Sequence, residues 1–230
     1  MAPRRTPVPP LTKDYLIVGE GKGDAAFVSY LCEARTIDVS DFQIEDAGGS
    51  GNFGDYIEGL RLRPNFDRAK GLLVIGDGDD RPEANFTRIR GHLKKGKLPF
   101  PNEPLHVARN GPGGLAVAVM MLPYTLAAGP LKGSLETILL TSVEQNNIAI
   151  GACIDAYHAC VGKGRTRNEE HKFRLRCFLA ALFPEDPNIS LQFALSPTRN
   201  LIDLNHPCFD EVADFFRGFA QLCAPLGGRR

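Results

Sequence analysis

Two short apolar, β-branched runs that each end in acids constrain this chain more than anything else in it. The first, Tyr15-Leu16-Ile17-Val18, runs into Gly19-Glu20-Gly21-Lys22-Gly23-Asp24. The second, Gly71-Leu72-Leu73-Val74-Ile75-Gly76, runs into Asp77-Gly78-Asp79-Asp80. An uninterrupted apolar run of this length reads as a strand buried on both faces, the habit of parallel sheets. Acids at its end then lie on the carboxyl edge, where open α/β sheets take their ligands. Carboxylates gathered on one edge repel one another unless a cation lies between them. The pattern therefore points to a hard divalent cation and, through it, to phosphate chemistry.

The remaining elements agree with that sheet. Asp24 to Ala34 carries apolar residues at helical spacing, with Asp24 placed to cap it. Phe42 to Ala47 reads as a strand that ends in the tight turn Gly48-Gly49-Ser50-Gly51, after which Asn52 caps a helix over Phe53 to Leu60. Pro82 opens a helix that ends near Leu93, followed by Lys94-Lys95-Gly96. Pro99 to Gly114 is a loop, and Ala116 to Leu122 a fourth strand stopped by Pro123. Ser134 caps a helix over Leu135 to Val143. His171 to Phe183 and Pro207 to Leu222 read as helices, and Ile189 to Leu195 as an edge strand. Strands alternating with helices imply an α/β, doubly wound, mainly parallel four-stranded sheet with a helical C-terminal elaboration. Residues 1–12 read as a disordered tail and 13–225 as one domain.

Several function classes drop out. No apolar stretch is long enough to span a membrane, so no membrane association is expected. Lys+Arg and Asp+Glu are equal at 27 each, so overall charge offers nucleic acid no attraction and only a local patch could. The six cysteines form no C-x-x-C pair and read as reduced thiols, which suits a cytoplasmic protein. The first glycine turn lacks the Gly-Lys-Ser/Thr of a P-loop, and as a dinucleotide fingerprint it matches only in a loose form counted from Gly21 and ending at Ala26.

Beyond Glu20, Asp77 and Asp79, three residue groups remain as site candidates. Ser134-Leu135-Glu136 offers a cap and a first-turn acid, or a fourth carboxylate over the same edge. Lys172 opens a helix, where a cation opposes the dipole; it is either a solvated lysine or the cation that stabilises a transferring phosphoryl group. Gly162 to Arg167 is a short basic loop able to track a phosphate backbone.

Glu20 after one strand, Asp77-x-Asp79 after a later one, and the Gly48-Gly49 turn together resemble the Toprim domain over roughly residues 14 to 220. The chain is similar above all to stand-alone Toprim-like proteins related to OLD-family nucleases, which share the Leu-Pro of Leu122-Pro123 and the small-x-Glu of Ser134-Leu135-Glu136. The resemblance implies a Rossmann-like fold and an Mg²⁺- or Mn²⁺-dependent nuclease or related phosphotransfer enzyme acting on DNA or RNA. It also implies metal held by Glu20, Asp24, Asp77, Asp79 and Glu136, and catalytic roles for Glu20 and Lys172. By analogy it implies a separate ATPase as partner in phage defence. The chain departs from the pattern where a further acid follows the Asp-x-Asp pair: only Asp80 stands there, one residue early. The alternative is a non-catalytic Toprim-like module that binds a partner ATPase or a nucleotide through the same acidic edge.

Overall fold

The computed structural model describes residues 9–111, 113–125, 129–161 and 164–224. Its frame is a sheet of order β2-β1-β3-β5-β4. β1 (Tyr15–Gly19), β2 (Phe42–Asp46), β3 (Gly71–Asp77) and β5 (Ala116–Leu122) are mutually parallel, and β4 (Ala108–Arg109) is antiparallel to β5. The sheet thus has five strands where four are expected. A two-residue strand leaves no periodic signal, and β4 exists only because Ala108 and Arg109 reach the free edge of β5. β6 (Tyr124–Thr125) and β7 (Gly129–Pro130) form a small separate ladder after the Leu122–Pro123 bond, which is cis.

The alternation of side chains along the central strands divides the core in two. Ile17, Leu73, Ile75, Ala118 and Met120 face one way, and Leu16, Val18, Leu72, Val74, Val119 and Met121 the other. The first face is covered by α1 (Lys22–Ala34), α4 (Leu135–Asn146), α6 (Arg167–Leu182) and α8 (Asp210–Cys223). The second is covered by α2 (Ser50–Gly59) and α3 (Pro82–Lys95). Helices on both faces of a parallel sheet make the α/β, doubly wound arrangement that the sequence implies, with a helical C-terminal elaboration. The order reverses between β1 and β3: the chain leaves β1 toward β2 and returns on its other side. That reversal opens a crevice at the carboxyl ends of β1 and β3.

Local expectations fail in instructive places. Ile189 to Leu195 is not an edge strand; Ser190 accepts a bond from the Phe193 N–H at 3.4 Å and starts the short helix α7 (Leu191–Ala194). Asn52 does not cap α2; Gly49 does, at φ 97°, and the Asn52 amide bonds back to the Gly48 carbonyl at 3.1 Å. α5 (Ile148–Val161) escapes a periodicity search because it is apolar almost all round, and of its residues only Gly151 and Ile154 are buried. Leu11, within the expected tail, is buried and donates its N–H to the Pro64 carbonyl at 2.9 Å; residues 1–8 lie outside the described ones. No described helix is long and apolar enough to cross a membrane. All six cysteines are free thiols.

Candidate metal centre

A hollow of about 260 Å³ opens at the crevice between β1 and β3, and Glu20, Asp24, Asp77 and Glu136 all line it. Four acids from three regions of the chain therefore meet. Glu20 stands directly after β1, Asp24 in the first turn of α1, Asp77 at the end of β3, and Glu136 in the first turn of α4. The turns that place them are tight. A Cβ on Gly19 would sit 2.5 Å from the Asp24 Cβ, so only glycine lets α1 fold back so closely over β1. Gly133, at φ 137°, exchanges backbone hydrogen bonds with Asp79 at 2.5 and 2.7 Å, which pins the start of α4 to the loop after β3. The Gly48-Gly49 turn closes the third side: Gly49 donates to the Glu20 carbonyl at 2.9 Å and lines the hollow.

Two of the carboxylates are fixed by backbone donors. Asp24 is not the N-cap of α1, a place taken by Gly21; from the third helical position it reaches back and accepts the Gly21 N–H at 2.8 Å. Asp77 accepts the Leu135 N–H, the first of α4, at 3.0 Å. Glu136 accepts from the Ser134 hydroxyl at 2.7 Å. None of the four has an ion-pair partner among the described residues.

The electrostatics follow from that crowding. Burial pushes the Asp24 carboxyl up to about 6, and the charges of Glu20 and Glu136 add to the rise against the Gly21 N–H. Burial also raises Asp77 well above the carboxylate range, helped by Asp24 and Glu136, with the Leu135 N–H opposing. Glu20 is raised by burial as well; Arg88 and Lys172 pull it down while Asp79 and Glu136 push it up.

Asp79 and Lys172 stand beside the hollow and do not line it. Asp79, at φ 47°, turns its carboxylate to two amides: Asn168 donates at 2.7 Å and Asn85 at 3.3 Å. Lys172 does not open its helix. α6 begins at Arg167, because Thr166 accepts the Glu169 N–H at 3.3 Å while Glu169 accepts the Thr166 N–H at 2.8 Å. That reciprocal cap was written in Thr166-x-x-Glu169, and reading it places Lys172 in the second turn. Lys172 is half-buried and makes no hydrogen bond or ion pair with any described residue, and its charge is felt at Glu20. In the described part of the basic loop, Arg165 stacks over Phe173 at 4.0 Å and pairs with Glu170 at 3.7 Å, while Arg167 is exposed. Gly162 and Lys163 lie outside the described residues.

Three side chains at this edge carry no sequence signal of their own. Arg88, on the exposed face of α3, supplies the strongest cationic influence on Glu20. Asn85 bonds the carbonyls of Asp77 and Gly78 at 3.1 and 3.0 Å. Asn168 lies between Asp79 and Ser134. Single arginines and asparagines in helices have no spacing that marks them.

By donor type, the hollow suits a hard cation that takes oxygen ligands, since its lining side chains that carry polar groups are all carboxylates, set among glycines and two leucines, and their mutual repulsion is what a cation relieves. As the side chains stand, no three described His, Cys, Asp or Glu groups are arranged so that they could hold a metal ion. Asp24 and Asp77 are anchored by the backbone, and Glu20 and Glu136 are the longer, rotatable members of the set.

A family model described as "Protein of unknown function (DUF3226)" matches residues 13–221. No curated protein matches the chain. Among solved structures, the chain is similar to the C-terminal region of the Burkholderia pseudomallei OLD protein, at 15% identity over 94% of this chain and 93% of that one, with a TM-score of 0.34. It is also similar to the C-terminal region of the Xanthomonas campestris pv. campestris OLD protein, at 12% identity over 92% and 98%, with a TM-score of 0.39.

Proposed function

The chain belongs to the DUF3226 family of proteins of unknown function, and we propose that its carboxylate hollow is a divalent-metal site for hydrolysing phosphodiesters in nucleic acid. One observation carries this reading: four acids line a single hollow without an ion-pair partner among the described residues. Asp24, Asp77, Glu136 and Glu20 would hold Mg²⁺ or Mn²⁺, with Asp79 beside them. The ion would neutralise charge on the phosphate and activate water. Asp24 and Asp77 keep their oxygens aimed by accepting from Gly21 and Leu135. Glu20, whose carboxyl is raised by burial and which accepts no side-chain hydrogen bond from any described residue, is suited to taking or giving a proton at the attacking or leaving oxygen. Lys172, unpaired among the described residues and within electrical reach of Glu20, would face the phosphoryl oxygens.

The test is cleavage of plasmid and of DNA and RNA oligonucleotides with Mg²⁺ or Mn²⁺, with and without chelator. The wild type should cleave, and Asp77→Ala should reduce cleavage to background. A folded, pure wild type inert toward every substrate ends the nuclease reading. The equal count of 27 cations and 27 anions favours a second reading, a module that uses the same edge to bind a partner ATPase or a nucleotide. That module would take up Mn²⁺ or its partner without cutting anything. Action in phage defence rests on analogy with the OLD family.

A further inference from the structure

Asn168 is a buried polar side chain, 9% exposed, that the chemistry above does not use. Its amide donates to Asp79 Oδ1 at 2.7 Å, and its carbonyl accepts from Ser134 Oγ at 2.9 Å. The same hydroxyl lies 2.7 Å from Glu136 Oε2. A continuous path therefore runs from the loop after β3, through the start of α6, to the first turn of α4. The two bonds set the amide orientation: the nitrogen faces the Asp79 carboxyl group and the oxygen faces the Ser134 hydroxyl. Ser134 has one hydroxyl proton for two acceptors, which makes the positions of Asn168 and Glu136 depend on each other. Helix capping does not explain Asn168, since Thr166 and Glu169 already cap α6. Lys172 lies one turn further along the same face of α6.

We infer that Asn168 is the positioning residue of the carboxylate site: it sets the spacing between Asp79 and Glu136 and holds α6 so that Lys172 stays beside Glu20. This rests on the metal reading of the site. Partners that orient metal-holding groups typically change metal affinity by about 10–100-fold when removed.

The experiment is calorimetric titration of the full chain with Mn²⁺ in the absence of nucleic acid, alongside circular dichroism and thermal melting. N168A should bind Mn²⁺ about 10–100-fold more weakly than the wild type. N168Q, which keeps both a donor and an acceptor, should recover most of that loss. If N168A does not fold, N168S takes its place, since its hydroxyl is too short to serve both partners. A folded variant that melts earlier but binds Mn²⁺ like the wild type overturns the positioning role and leaves the metal reading standing. A wild type that takes up no Mn²⁺ at millimolar concentration overturns the metal reading and this inference with it.

Discussion

Glu45 and Asp77 sit on strands of one sheet, both are largely removed from water, and they end in opposite electrostatic states. Glu45, near the end of β2, faces Arg63, whose side chain is 1% exposed and which donates to both carboxylate oxygens at 2.7 Å. Gln43 donates at 2.6 Å, and the Tyr56 hydroxyl also bonds to it. Burial works to raise Glu45, but these donors prevail and hold it below its ordinary range. Asp77 has one backbone donor and three negative neighbours, Asp24, Glu136 and Glu20, and it is held well above its range. Burial is common to both; the sign of the neighbours decides. The first arrangement holds structure in place. The second leaves negative charge uncompensated where a cation or substrate can meet it, as functional sites tend to do.

The widest test of that contrast is Arg63→Ala. It strands Glu45 without its cation and should cost about 3 kcal/mol in denaturant unfolding. A neutral result would mean that Glu45 is no better compensated than Asp77. Next comes Mn²⁺ itself. At a hundred times its dissociation constant it should stabilise the wild type by about 2.7 kcal/mol, read as a rise in melting temperature, and should do nothing for Asp77→Asn.

Somewhat smaller is the gain from removing a repelled acid. Burial holds the Asp24 carboxyl up at about 6 in the folded chain, against 3.8 for an ordinary aspartate. Between those values the native state holds a proton that the unfolded state has released, so the metal-free protein loses stability as pH rises from about 4 to 6. Asp24→Asn keeps an acceptor for Gly21. It should gain on the order of 2 kcal/mol at pH 7, flatten the pH dependence and abolish metal uptake. Equal stability of variant and wild type across that window would show that Asp24 is not repelled. Smallest in stability is Lys172→Met, expected within about 0.5 kcal/mol of the wild type. Its cleavage should nonetheless collapse, which separates a cation kept for chemistry from Arg63, kept for folding.

The acids were legible because a strand's end is legible. Once Leu72 to Ile75 is read as a buried strand, Asp77 has to lie on its carboxyl edge, and Tyr15 to Val18 puts Glu20 on the same edge. The capping serine likewise fixed Glu136 in a first turn. What escaped was long-range or lacked a period. β4 depends on the free edge of β5, and α5 has no polar face to set its phase. Arg88, Asn85 and Asn168 enter the site from helices whose rotation about their own axes is set by packing.

By itself, then, the order of residues determined the four long parallel strands, most helices and the acidic character of one sheet edge, because apolar period and turn chemistry act over a few neighbours. The folded chain alone decided which acids share the hollow and which stand beside it. It turned Asp79 toward two amides, one of them from Asn168 at the start of α6. It also gave Glu45 a cation and left Asp77 with like charges. Those outcomes depend on distances between segments far apart in sequence, and electrostatic energy depends on distance in space.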